Sequence, residues 1–273
     1  MTEADIIDKL DQPDVKLGNS QFLQAKKYRF SPLLEGLFVG IVILVVTQAT
    51  IYFVYAHAMN AQKEEIREGL LRVAKTIGVF IDGDLHKTIT TREQMNSQDY
   101  LDAIEPMRLA SESDDSIAYV YTAIMRESKV YFILDPTPSN LENDDGIDEK
   151  SYVMQEYKEA SASMVRALKE QISVVEDSIT IDRWGAFLSG YVPIYDQAGG
   201  FVAILGVDIT ANEYLSRLAP IKRATIRAKV SAILLAFLIG SLVWFMRNFA
   251  SVINAKRLLL LEHHKNTSKS SGK

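Results

Sequence analysis

Asp208 ends the run Phe201-Val-Ala-Ile-Leu-Gly-Val-Asp208. A carboxylate at the end of so apolar a strand must reach solvent, a cap or a cationic group. Arg183 and Trp184 stand side by side at the start of another strand pattern. A guanidinium can clamp a carboxylate with two hydrogen bonds, and an indole face can cover a cation or a methylene chain. Tyr119 and Tyr121 share one strand face by period-two alternation, as do Tyr131 and Asp135 on the next strand and Ser189 and Tyr191 on another. Tyr hydroxyls are common polar handles in apolar pockets. These residues form the candidate ligand-binding set. Each has a plainer reading: Asp208 as the start of a turn into a helix, Arg183 as a surface cation beside a core Trp184, each Tyr as core or rim. Lys150 and Tyr152 close an acidic loop and are placed within reach of the same pocket.

Other chemistry fares worse. The loop Asn140–Lys150 (NLENDDGIDEK) gathers Glu142, Asp144, Asp145, Asp148 and Glu149, oxygen ligands of the kind hard cations prefer. With Gly146 as the sixth EF-hand position, however, the first and twelfth fall on Leu141 and Tyr152, neither of which can serve. A solvated loop is expected there, and no metal site. The chain has no Cys, which excludes disulfides, a thiol nucleophile, a Cys zinc site and an iron–sulfur cluster. Ser189 sits in Leu-Ser-Gly-Tyr rather than a G-x-S-x-G elbow, and no phosphate-cradling glycine loop is present. His86, in Gly-Asp-Leu-His-Lys, is read as a capping or packing residue, and His263 and His264 as part of a solvated tail. The reading is therefore not an enzyme, with no catalytic residue and no cofactor.

The elements that must position the candidate set follow from hydropathy. Gly36–Ala56 is 21 residues without a charge; at about 1.5 Å per residue it matches the roughly 30 Å hydrocarbon core of a bilayer. Val230–Met246 is 17 uncharged residues flanked by Lys229 and Arg247, which can snorkel. Tyr52, Tyr55 and Trp244 sit near segment ends, where interfacial aromatics belong. The organisation expected is a cytoplasmic arm (1–35), a first transmembrane helix (36–56), an extracytoplasmic domain (57–229), a second transmembrane helix (230–246) and a short cytoplasmic tail (247–273) without an output domain. Basic residues near the span ends are nearly balanced. The segment totals are clearer: the middle carries 19 basic and 28 acidic residues, and the chain from Val230 onward 6 and 1. This places both termini in the cytoplasm, in the inner (plasma) membrane of a multi-pass protein. A net charge of −5 disfavours nucleic acid as a partner.

The middle region opens with a long helix in which Ile66, Leu70, Val73, Ile77 and Phe80 form a heptad seam. No breaker separates this helix from the first span. The seam packs on its own domain, pairs with a second copy in a homodimer, or does both; Glu at Leu70 and Ile77 is the test for the dimer. A helix near Asp99–Leu109 follows, with Ser97 as N-cap. Ile117–Met125 and Lys129–Asp135 flank a short turn, and Trp184–Tyr195 and Phe201–Ile209 flank Asp196–Gly200, giving two hairpins; Ile179–Ile181 adds a weaker strand. A helical stretch is expected from Ser151 to about Glu170. Thr210 caps a helix that leads through Pro220 to the second span.

This order is α+β: an antiparallel five-stranded sheet with a long N-terminal helix, flanked by two transmembrane helices. The region 57–225 resembles the extracytoplasmic Cache (PAS-like) sensor domains of bacterial two-span receptors of the sensor-kinase, diguanylate-cyclase and chemoreceptor types. The resemblance is carried by the membrane-adjacent helix, YVYTAI, KVYFILDP, DRWGAFLSGYVPIYD and the closing GVDI. It implies a pocket on one face of the sheet for a small carboxylate, amino acid or amine, with Asp208 placed to hold an amine. The amino-acid-binding pattern has a residue between Arg and Trp-Tyr; here Arg183 abuts Trp184 and Gly185 follows, so that pattern is not matched.

The function expected is a membrane-bound signal-transduction receptor that senses a small extracytoplasmic ligand and passes the signal across the bilayer by helix movement. Its expected partners are that ligand, membrane lipid, a second copy and a separate cytoplasmic signalling protein, for which the Asp-rich arm (Asp5, Asp8, Asp11, Asp14) is one candidate surface. The alternative is an accessory membrane protein whose PAS-like domain binds a protein partner without a small ligand. A membrane-anchored hydrolase would need His86 beside a Ser or Asp in a cleft.

Overall fold

The computed structural model describes residues 31–139, 146 and 148–270, with side chains except at 258, 259 and 261–270. Asp5, Asp8, Asp11, Asp14, Glu142, Asp144 and Asp145 lie outside the described residues, as do the side chains of His263 and His264. The chain divides into two units: Val54–Ala224, and a second that joins the chain up to Phe53 with the chain from Thr225.

In the first unit a six-stranded antiparallel sheet is built from β1 (Tyr119–Arg126), β2 (Lys129–Phe132), β3 (Val174–Val175), β4 (Thr180–Asp182), β5 (Gly185–Tyr195) and β6 (Phe201–Thr210). The order is β2-β1-β6-β5-β3, with β4 also on β5. β3 meets Gly190 and Tyr191 of β5 while β4 meets Gly185 to Phe187, so the two short strands share one edge. The five expected positions are therefore filled by six strands. The extra one, Val174–Val175, is too short to carry an alternation signal. The β1–β2 turn is tight: Glu127 and Ser128 both have positive φ (50° and 64°), the twist a two-residue hairpin requires.

Period-two alternation sends side chains to two cores. Leu188 and Val192 of β5, and Leu205 and Val207 of β6, face one cluster. Its cover comes from α1 (Pro32–Gly78) and α3 (Gln98–Ser113), the latter capped by Ser97, whose Oγ accepts from the Tyr100 N–H. Tyr191 of β5 and Ile204 of β6 face the other, covered by Met164, Ala167 and Leu168 of α4 (Ala162–Glu170). A short α2 (Gly83–His86) follows α1, and α5 (Ala211–Ser270) leaves the sheet after Thr210, whose Oγ1 accepts from the Glu213 N–H.

One expectation is narrowed and another changes. The seam packs inward: Ile66, Leu70 and Ile77 are buried with Ala74 against the sheet, and a Cβ on Gly190 would stand 3.1 Å from Leu70 Cγ. Val73 is half-buried, and Phe80, 68% exposed, lies beyond the helix. Substituting Leu70 and Ile77 therefore attacks the domain core, so loss of a dimer in that variant would not isolate an intermolecular seam. The helix expected from Ser151 begins only at Ala162, behind its cap Ser161. Residues before it form turns that pair with β2, with Phe132 N–H donating to Gln155 O, Met154 N–H to Phe132 O and Tyr157 N–H to Val130 O. Backbone pairing with β2 wins there over local helical propensity.

The second unit holds apolar stretches of α1 and α5, two helices long and apolar enough to cross a membrane by length and composition. Their backbones touch: a Cβ on Gly36 would stand 2.6 Å from Gly240 O, and one on Gly40 3.2 Å from Ala236 O. Small residues four apart on each helix permit this approach. Arg247 grips Glu35 with two hydrogen bonds, Nη2–Oε1 at 2.9 Å and Nε–Oε2. Helix α5 continues through Ser270, into the stretch expected to be a solvated tail.

Candidate functional site

The centre of the site is fixed by register. Asp208 on β6 lies directly opposite Tyr119 of β1 and Ser189 of β5, and Gly206, two residues earlier, lies opposite Tyr121 and Tyr191. All project to the α4 side of the sheet. Gly206 is required there, because a Cβ would stand 2.6 Å from the Tyr121 ring. The ring lies across that gap, and its hydroxyl donates to Asp208 Oδ1 at 3.4 Å. Asp208 is only 6% exposed. Burial pushes its carboxyl up to about 7; hydrogen bonds from Ser189 and Tyr121 oppose the rise, and the charges of Asp182 and Glu176 add to it.

A closed box surrounds Asp208. Phe132 meets Tyr121 edge-on with centroids 5.1 Å apart, Tyr157 at 4.9 Å and Trp184 edge-on at 5.6 Å, while Tyr119 meets Phe187 edge-on at 5.4 Å. Asp182 accepts three hydrogen bonds, from Tyr157 Oη (2.6 Å) and the backbone N–H groups of Trp184 (2.9 Å) and Gly185 (3.2 Å). Asp135 also accepts three, from the Thr137 N–H (2.8 Å) and from the N–H and Oγ of Ser151 (2.7 Å each). The indole Nε1–H of Trp184 donates to Asp148 O at 3.1 Å. Four carboxylates (Asp135, Glu149, Asp182 and Asp208) and six rings line the space that remains, about 20 Å³. That is room for about one water molecule. Among the described residues, no Lys, Arg or His lines it.

Of the expected residues, Tyr119, Tyr121, Asp135, Trp184 and Asp208 line the cavity. Ser189 and Tyr191 lie on the same face just beyond it: Ser189 bonds Asp208, and Tyr191 Oη donates to Glu176 Oε1 at 3.2 Å. Glu176, itself buried, also receives the Ser161 hydroxyl. Two residues are not brought in. Arg183 pairs with Glu159 (3.1 Å) and lies over the Trp184 ring with its Cζ 4.7 Å from the centroid, outside the cavity. Tyr131 does not share a face with Asp135. Thr122 N–H donates to Leu134 O while Ile133 N–H donates to Thr122 O, so two residues stand opposite one. This bulge reverses the alternation between Tyr131 and Asp135.

Sequence reasoning missed Phe132, Tyr157, Asp182, Phe187, Glu149 and Ser151 of the lining. Phe187 was findable, since it shares parity with Ser189 and Tyr191. Tyr157, Glu149 and Ser151 come from irregular chain with no period to read. Lys150 is buried beside the site, its Nζ donating to Asp135 O and Thr137 O at 2.7 Å each. Tyr152 points elsewhere, donating to Asp148 Oδ2 under the Arg92 guanidinium. On the opposite face, His86 is buried with Nε2 2.8 Å from Thr122 Oγ1, which itself accepts from the Leu134 N–H. Burial pulls His86 down to about 4. The ring packs, as expected, against the Thr122 hydroxyl.

No family model matches the sequence, and no curated protein is similar to it. Among solved structures, the neighbours are ligand-binding sensory domains of chemoreceptors and histidine kinases. The ligand-binding domain of the Campylobacter jejuni chemoreceptor Tlp3, in complex with L-valine, aligns at a TM-score of 0.41 and 14% identity over 67% of each chain. The ligand-binding domain of the Pseudomonas aeruginosa PAO1 amino acid chemoreceptor PctC, in complex with GABA, gives 0.36 and 13% over 62% of this chain and 68% of that one. The extracellular domain of the histidine kinase mmHK1S-Z2 gives 0.36 and 13% over 60% and 61%.

Proposed function

We propose that this chain is a membrane-anchored sensor in which 57–229 lies outside the cytoplasm between two spans and binds a small ligand through a cationic amine at Asp208. The lining carries the reading. Four carboxylates and six rings converge with no cationic side chain among the described residues. An ammonium group gains from the carboxylates by charge and from the rings by cation–π attraction. A carboxylate ligand would meet like charges, and Arg183, the residue expected to clamp it, is engaged by Glu159. Amines and amino acids are thus favoured over simple carboxylates. Occupancy would be passed on by small shifts of α1 and α5, the helices that continue into the spans.

One observation favours the second reading, an accessory protein that binds another protein without a small ligand. The cavity of about 20 Å³ admits little more than a water until its rings move. A melting-temperature screen separates the two, using the full chain in detergent micelles against amines, amino acids and short carboxylates. Dose-dependent stabilisation by amine-bearing compounds, lost in Asp208→Ala, is expected from selective binding to the folded state. A flat screen on a well-folded sample would transfer the weight to the accessory reading.

A further inference from the structure

We infer that a cation enters this pocket in exchange for a proton: without ligand Asp208 is a neutral carboxyl, and a bound ammonium group takes the proton's place against the ionised carboxylate. The inference rests on the amine reading above and adds to it a dependence on pH.

The argument begins with what supports each carboxylate. Asp135 and Asp182 each accept three hydrogen bonds, two of them from backbone N–H groups, and Lys150 stands beside Asp135. Backbone donors fixed in this way can point only toward an acceptor. Glu149 is half-buried. Of the four carboxyl groups that line the cavity, Asp208 is the one that is deeply enclosed with two hydroxyl partners among the described residues, Ser189 and Tyr121; Glu176, beyond the lining, is buried with a similar pair. A hydroxyl can turn, donating to a carboxylate or accepting from a carboxyl, so these partners satisfy both forms.

The groups that face Asp208 share one character. β1 presents Tyr119 and Tyr121, β5 presents Tyr191, and β4 presents Asp182; the chain around them adds Asp135, Glu149, Tyr157 and Glu176. The nearest cations are held elsewhere, Lys150 on the carbonyls of Asp135 and Thr137 and Arg183 on Glu159. An ionised Asp208 would add a further negative charge to an acidic pocket whose described lining holds no cation to pair with it. A carboxyl pushed up to about 7 by burial agrees with this placement.

The exchange balances simply. The carboxyl O–H bond breaks, its electron pair stays on Asp208, and the proton passes to solvent as the cation enters. The charge of the site is unchanged. Apparent affinity should therefore weaken about tenfold for each pH unit well below 7, and be flat above it.

The test uses the full chain in detergent micelles with methylammonium chloride as probe. Infrared spectra without probe report the protonated carboxyl directly. The expected band titrates near neutrality and disappears in Asp208→Asn, a neutral side chain of the same shape. In Ser189→Ala its midpoint moves upward, because a donor to the ionised form is lost. Calorimetry near pH 6, in buffers of differing ionisation enthalpy, should show about one proton released per cation bound. A band absent between about pH 5 and pH 7, or unchanged in Asp208→Asn, overturns the exchange and leaves the amine reading standing. Methylammonium binding of equal strength at every pH, without proton release, does the same. A titrating band with no methylammonium binding at any pH overturns the amine reading, and the exchange with it.

Discussion

Two buried titratable residues on opposite faces of the sheet pull stability in opposite directions with pH. His86 has its pKa lowered to about 4 by burial, so the unfolded chain takes up a proton that the folded chain refuses. Its contribution is fully present above about 6.5 and is lost as pH falls toward 4. Asp208 is the reverse case. Its folded pKa is raised to about 7, so the folded chain keeps a proton that the unfolded chain releases near 4. That contribution is present at low pH and is lost as pH rises through 7. Each is on the order of 3–4 kcal/mol across its window. Between about pH 4 and pH 6.5 the slopes nearly cancel, and the wild-type melting temperature should be almost level there. Asp208→Asn removes one slope and uncovers the other: its melting temperature should climb over that range, and exceed wild type at about pH 8. A variant curve parallel to wild type would contradict the assignment of the two protonation states.

At the scale of elements, α1 shows what a sequence pattern does and does not carry. The spacing of Ile66, Leu70 and Ile77 was legible, and so was the helix; the surface it meets was not, because a heptad seam fits a sheet as well as a second helix. Leu70→Glu would bury a carboxylate against Gly190. It is expected to cost at least about 3 kcal/mol and to melt the domain at any protein concentration. Retained folding with loss of a dimer on sizing would instead restore the seam to an intermolecular role. The sheet was read more completely. Parity paired Tyr119 with Tyr121 and Ser189 with Tyr191 within their strands, and the register then sets both pairs on the face of Asp208. It failed at Tyr131, where the bulge at Thr122 is a matter of hydrogen bonding that side-chain types do not announce. It was silent on Tyr157 and Glu149, placed by tertiary pairing rather than by local pattern.

At the scale of the whole molecule, the absence of Cys makes the membrane unit open to measurement, because any introduced Cys is unique. Gly36, Gly40, Ala236 and Gly240 bring the backbones of the two apolar helices into contact. Gly240→Leu would drive a side chain into Gly36 O, which a Cβ alone already approaches to 2.9 Å. Spin labels on Leu33→Cys and Trp244→Cys should report a wider separation in that variant. The melting temperature of the Val54–Ala224 unit should be unchanged, since its cores share no residue with the crossing. An unchanged label distance would show that the glycines do not set the approach of the helices.

The backbone of Met154–Tyr157 lies along the outer side of β2. At the other end of the sheet, β3 and β4 are two and three residues long, and Arg67 donates to the Val175 carbonyl. Among the described residues, the margins are thus a β2 that is already paired and two strands of three residues or fewer. A free run of N–H and C=O groups is what fibril growth and strand-donating partners exploit. Growth through this sheet is thus confined to short or irregular edges, of which β4, three residues long and paired with β5 on one side, is one.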